Sequence, residues 1–225
     1  MIGSMTDVVG DLLPYAVGVA LSPVPLIAVF LLLGAPAGRA AGALFVLARV
    51  VTLAVVVVLA AALADLLPES RGPSLAGAVL RILLGAALMV WAVVQVVRPD
   101  GARADSDKPG WMASMGKASP AGAARIGVLL SAANLKELAL GLGAGLTVAS
   151  EDLAPGAVVG VAVAYAVLAC LGTIVAVAAF WLAEDRVSRP LDRARVWLVR
   201  NSAVLVAIVL LVIGAVLAGG GVRDL

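Results

Sequence analysis

Asn134, Lys136 and Glu137 fall in the middle of an apolar stretch, 126–149, that is otherwise long enough to cross a membrane. On an insertion scale each charge at bilayer depth costs roughly 2.5–3.5 kcal/mol, so such residues face a partner, a cavity or a substrate path. On a regular helix Ser131, Asn134, Glu137 or Leu138, and Gly141 share one small, polar stripe. Lys136 lies about 200° round from Asn134 on that helix and points elsewhere unless the helix is unwound. It also diverges from Glu137, because adjacent side chains on a helix do not face each other. Each charge therefore needs a partner from another segment. Arg49 is the candidate for Glu137: counted from Ala41, it lies roughly 12 Å into its own apolar stretch at about 1.5 Å per residue. A buried Arg49–Glu137 pair would ease two desolvation costs at once. Lys136 and Arg49 suit an anionic group, and Glu137 could titrate in a proton-coupled cycle.

A second constellation is Ser22-Pro23-Val24-Pro25, inside the first apolar stretch. Its prolines remove two backbone donors and clash with preceding carbonyls, which predicts a kink or a short unwound segment. Interrupted helices that meet near the midplane leave carbonyls and amides free for ions or head groups. The plainer readings are a purely structural kink, a snorkelling Lys136, and an Arg49 that anchors at the interface if its helix starts later. Arg81, close to the start of its span, reads as a snorkelling residue. Tyr165, Cys170 and Thr173 read as ordinary span residues.

The elements that must position these residues are membrane helices. Hydrophobic residues make up 63% of the 225, charged residues only 13%, and mean hydropathy is +1.14. Apolar runs cover 8–33, 41–64, 76–97, 126–149, 154–183 and 202–219, too long for the alternating strands of an outer-membrane barrel. The expectation is an all-α integral membrane protein with six transmembrane helices. The first run follows Asp7 without an early basic residue, unlike a cleaved signal peptide, and is expected to stay as a helix. Of the sixteen basic residues, eleven lie in the loops after runs one, three and five, whereas Arg71, Arg81 and Arg223 lie on the other side. The positive-inside rule then places both termini outside the cytoplasmic (inner) membrane.

Residues 98–124 are rich in Pro, Gly, Ser and charge and read as a cytoplasmic linker, with Trp111, Met112 and Met115 as an interfacial anchor. Residues 184–200 carry Leu191, Ala194 and Leu198 at helical spacing among arginines, the pattern of a short amphipathic helix on an anionic leaflet.

The chain also repeats itself. GVALSP (18–23) answers GVLLSA (127–132), LAD (63–65) answers LAED (182–185), and LLGAAL (83–88) answers VIGAVL (212–217), in order. Three spans per repeat is an odd number, so the second unit must be inverted relative to the first. The organisation expected is a first three-helix repeat over 1–97, a linker over 98–124 and a second repeat over 125–225. Ser22 with Pro23 and Pro25 in one half then corresponds to Ser131 and Asn134 in the other.

The stretch PGWMASMGKASPAGAARIGVLLSAANLKELALGLGAGL (109–146) closely resembles the linker and fourth span of the actinobacterial GAP family. These are the Sap-type peptidoglycolipid- or sulfolipid-addressing proteins, a branch of the LysE exporter superfamily. ALSPVPLIAVFLLLG (20–34) and LDRARVWLVRNSAVLVAIVLLVIG (191–214) resemble the same family. Its central Asn-Pro-Lys element maps onto Asn134-Leu135-Lys136, with leucine where proline is usual, which leaves a break at this point open. The resemblance implies a six-helix inner-membrane protein linked to moving cell-envelope glycolipids outward.

The leading expectation is an exporter or flippase-like transporter of an amphipathic envelope lipid. Its head group would touch Ser22, Pro23, Pro25, Arg49, Ser131, Asn134 and Lys136, with Glu137 coupling protons. The alternatives are a LysE-type exporter of small amphiphiles such as amino acids, and a non-transporting assembly factor for envelope-lipid synthesis. Expected partners are membrane lipids, the substrate, lipid-synthesis or export proteins and a second copy of the chain, without nucleic acid. An enzyme is not expected. No metal or cofactor is expected either: His is absent, Cys170 stands alone, and no Gly-rich phosphate loop with Lys and Ser/Thr occurs.

Overall fold

The computed structural model describes residues 5–64, 118–151 and 153–182 as continuous chain, with isolated positions elsewhere. Among the described residues all regular structure is helical. The helices are α1 (Met5–Ala20), α2 (Pro23–Leu33), α3 (Gly38–Ala64), α4 (Pro120–Ala132), α5 (Leu135–Ala149), α6 (Pro155–Ala169) and α7 (Leu171–Leu182). The chain divides into two compact units, Met1–Leu66 with Asp107–Leu198, and Leu67–Ser106 with Val199–Leu225. All seven named helices belong to the first.

α3 shows what kind of solvent surrounds this unit. Its buried stripe is Ala41, Phe45, Arg49, Leu53, Val57 and Ala61, at fourfold spacing. The opposite stripe, Leu47, Val51, Val55, Leu59 and Leu63, is exposed although every member is a large aliphatic. A helix in water puts such residues inward and an arginine outward. Here the arrangement is reversed, as expected of a helix bathed in lipid. α3 is long and apolar enough to cross a membrane by itself.

Three further helix pairs pass the same test only when each pair is taken together, because each is sharply bent. The bends are 60° between α1 and α2, 67° between α4 and α5, and 65° between α6 and α7. The first is the one the prolines predict: Pro23 and Pro25 open α2, where a missing N–H is tolerated. The second answers the question raised by Leu135, since the helix breaks there without proline. The third corrects the reading of 154–183 as one continuous run. The start of α3 at Gly38 also lengthens the second run and removes the reading of Arg49 as an interfacial anchor.

α3 is the hub, packing against α2, α4, α5 and α6, while α1 packs against α5 and α6. Gly127 lies on the backbone of Phe45, where a Cβ would fall 2.6 Å from the carbonyl oxygen. Gly145 lies likewise on Val57, at 2.7 Å. Rising numbers on α4 and α5 thus meet rising numbers on α3, so the bent pair runs parallel to α3. Small residues make this approach possible, as in membrane helix packing generally.

Ala28, Val29, Leu32, Phe45, Ala123, Val177 and Phe180 form an apolar core joining α2, α3, α4 and α7. Met115 is buried in it. This corrects the expectation that Met115 sits at a lipid interface; Trp111 and Met112 lie outside the described residues. So do Arg81 and most of 184–200, of which Arg193, Val196 and Trp197 are helical and exposed.

Candidate functional site

The break between α1 and α2 has a chemical consequence one turn earlier. In a continuing helix the Ser22 amide would bond the Gly18 carbonyl. Pro23 has no N–H for the Val19 carbonyl, and the Ser22 amide bonds that oxygen instead, at 3.0 Å. The Gly18 carbonyl is left free of backbone donors, and the Lys136 ammonium donates to it at 3.0 Å. An intramembrane lysine thus finds its partner in an acceptor that a proline liberates.

The second break is held by Asn134, which caps α5 in extended conformation (φ −82°, ψ 103°). Its Oδ1 accepts from the Lys136 amide at 3.2 Å, and its Nδ2 donates a long bond to Glu137 Oε1 at 3.4 Å. Asn134 and Glu137 thus have the N-cap and N3 spacing of a capping box, but here the cap bonds the N2 amide and the two side chains bond each other. Glu137 lies in the first turn of α5, where the helix dipole favours a negative charge.

Glu137 Oε2 then meets Arg49 Nη2 at 3.0 Å, the pairing the sequence raises. The side chains are 0% and 1% exposed. The Arg49 guanidinium also lies 5.9 Å from the centre of the Phe45 ring, one turn earlier on α3, within cation–π range.

The third break supplies residues that the sequence does not single out. Cys170 closes α6, Thr173 Oγ1 donates to its carbonyl at 2.8 Å, and the Cys170 thiol lies beside Arg49. Tyr165, one turn before, is fully buried and within electrostatic reach of Glu137 and Arg49. No proline marks this break; the available signal is the Gly172-Thr173 pair after an uninterrupted apolar run.

Arg49, Asn134, Lys136 and Glu137 are thus joined by direct contacts. Ser131 is fully buried one turn beyond Gly127, on the face of α4 that lies on α3. Ser22, Pro23 and Pro25 are buried as well and shape the break, Ser22 capping α2 without a side-chain bond. Their link to the charged residues is the Gly18 carbonyl. Among the described residues no His/Cys/Asp/Glu group is arranged to hold a metal.

Helices with aliphatic faces turned outward, interrupted at three points around a buried arginine–glutamate pair and a lysine, define a helical membrane protein with a charged centre. The chain belongs to the Sap, sulfolipid-1-addressing protein family, whose model matches residues 12–223. No curated protein and no solved structure matches it.

Proposed function

We propose that the chain is a multi-pass protein of the cytoplasmic membrane that moves an amphipathic envelope lipid outward, as an exporter or flippase of LysE type. The family's name ties it to sulfolipid addressing, and an anionic glycolipid is the substrate class we assign. The observation that carries this reading is the charge balance of the centre. Arg49 and Lys136 bring two positive charges against the single negative charge of Glu137, where three helix breaks meet. Such a centre attracts an anionic head group, while the acyl part stays in lipid along the outward aliphatic faces.

The inverted repeat supplies the motion. The bends of 60° and 67° lie at corresponding places in the two halves. α3 packs on α4 and α5 of the second half, and reciprocally α6 packs on α1 of the first. In the other compact unit Gly85 and Gly214, matched by the repeat, meet face to face: a Cβ on either falls about 2.5–2.6 Å from the other's carbonyl oxygen. Equivalent residues meet in this way beside a two-fold axis. Rocking of one half against the other would expose the centre alternately to the two sides. The parallel run of α3 and α4–α5 suits runs two and four of a six-span topology with both termini outside.

Proteoliposomes holding the purified chain and a fluorescent sulfated glycolipid test this directly by leaflet-selective quenching. Faster transbilayer movement than in protein-free vesicles is expected. Its absence for every anionic lipid tried would sink the proposal, and saturable amino-acid movement in its place would favour a small-amphiphile exporter.

The broken first span carries its own prediction. In Pro23→Ala with Pro25→Ala, residue 23 regains an N–H for the Val19 carbonyl, and the Ser22 amide returns to Gly18. Lys136 then loses its acceptor. Normal insertion with transport reduced about tenfold or more is expected, one charge-assisted hydrogen bond being of that order. Unchanged transport would show that the break in this half plays no part.

A further inference from the structure

Five buried side-chain atoms have no hydrogen-bond partner: Arg49 Nε and Nη1, Glu137 Oε2, Ser131 Oγ and Tyr165 Oη. Their side chains are at most 1% exposed. Unpartnered buried polar atoms are uncommon, and each calls for an explanation. They lie on α3, α4, α5 and α6, the last three all packed on α3. Ser131 follows Gly127, which lies on Phe45 and Ala48 just before Arg49, and Tyr165 is in electrostatic reach of Arg49 and Glu137.

Donors predominate: four of the five carry an N–H or O–H that can donate, and the one pure acceptor, Glu137 Oε2, is the oxygen that faces Arg49 Nη2 at 3.0 Å. Glu137 Oε1 accepts from Asn134 Nδ2, and its Oε2 is held by the ion pair with Arg49 Nη2. Lys136 adds a further cation and spends one of its three N–H bonds on the Gly18 carbonyl. A water molecule could satisfy a hydroxyl but would leave the surplus positive charge. An oxyanion with three or more free oxygens would accept from several directions and balance that charge together.

We propose that Arg49, Ser131 and Tyr165 form a subsite for the tetrahedral oxyanion of a sulfate or phosphate ester. Tyr165 serves as a recognition residue alongside the charged pair. The identity of the ester as a lipid head group rests on the export reading; the subsite rests on the donors.

Removing a buried hydroxyl that lacks a partner takes away a desolvation penalty. Tyr165→Phe and Ser131→Ala are therefore expected to leave the ligand-free protein at least as heat-stable as the parent, while weakening oxyanion binding. The full chain in nanodiscs would be titrated with octyl sulfate and octyl phosphate below their micelle concentrations. Inorganic sulfate and phosphate run in parallel, octyl glucoside is the uncharged control, and thermal stabilisation is the readout. Saturable stabilisation by an anionic ester, weakened about tenfold or more in each variant, is expected. Undiminished binding in Tyr165→Phe, or a loss of ligand-free stability in both variants, would overturn the subsite. Equal affinity for the inorganic anions would support the subsite but point to a free anion as its ligand. Export that fails while ester binding persists would count against the export reading alone, and export that persists while binding is lost would count against the subsite alone.

Discussion

Arg49→Met and Glu137→Leu each lower the yield of folded protein sharply, and the two together restore it. The ion pair is completely buried, so either single change leaves a buried charge without its directly bonded partner. Breaking a buried pair in this way typically costs about 3–5 kcal/mol, a large share of the stability of any domain. Replacing both partners by apolar residues of similar size is often neutral or stabilising by about 1–4 kcal/mol. Capping by Asn134 remains in the double variant, so α5 keeps its start. The double variant should nevertheless be inactive in the proteoliposome assay, since the centre then holds only Lys136. Fluorescence-detected size exclusion and thermal melting read the stability side. Single variants as stable as the parent would mean that the pair is not a closed, desolvated unit. A double variant worse than both singles would mean that its hydrogen bonds outweigh its desolvation.

Much of this centre is legible in the sequence because membranes make polar residues conspicuous. Arg49 and Glu137 can be paired from the sequence alone, since each is a charge in an apolar run with no neighbour on its own helix to face. The proline break is equally plain, because a residue without an N–H cannot continue the ladder. The break at Asn134 is written less obviously. Asn134 and Glu137 have the spacing of a capping box, a signal obscured by the missing proline at position 135. The bend at Cys170 has neither proline nor capping box; α6 packs on α1 and α3, and α7 enters the core with α2, α3 and α4. Tyr165 is hidden for a different reason: a tyrosine in an apolar run looks ordinary until its hydroxyl proves to be buried without a partner. Met115 misleads in the opposite sense, because a Met beside Trp in a linker resembles an interfacial anchor, whereas tertiary packing draws it into the core.

Lys136→Met is expected to give normal or raised levels of inserted protein that does not transport. The partner of the lysine decides this. Were it a carboxylate, the substitution would strand a buried anion and reduce yield, as for Arg49. Its hydrogen-bond acceptor is instead the neutral Gly18 carbonyl, and Glu137 keeps Arg49 as its counter-ion. Loss of the ammonium leaves that carbonyl unpaired at a cost of about 1–3 kcal/mol. Removal of a cation from a membrane segment returns roughly 2.5–3.5 kcal/mol on the insertion scale. The two nearly cancel, so stability should change little. Function should not survive, because the tether between the broken first span and the start of α5 is gone and the centre loses its surplus positive charge. Lys136→Arg separates these two contributions: it keeps the charge and alters the reach, so partial transport is expected. Protein level and export must be measured on the same preparations. A degraded Lys136→Met would show a structural lysine, and a well-folded, fully active one would remove Lys136 from the transport path and leave Arg49 as the sole cation facing the substrate.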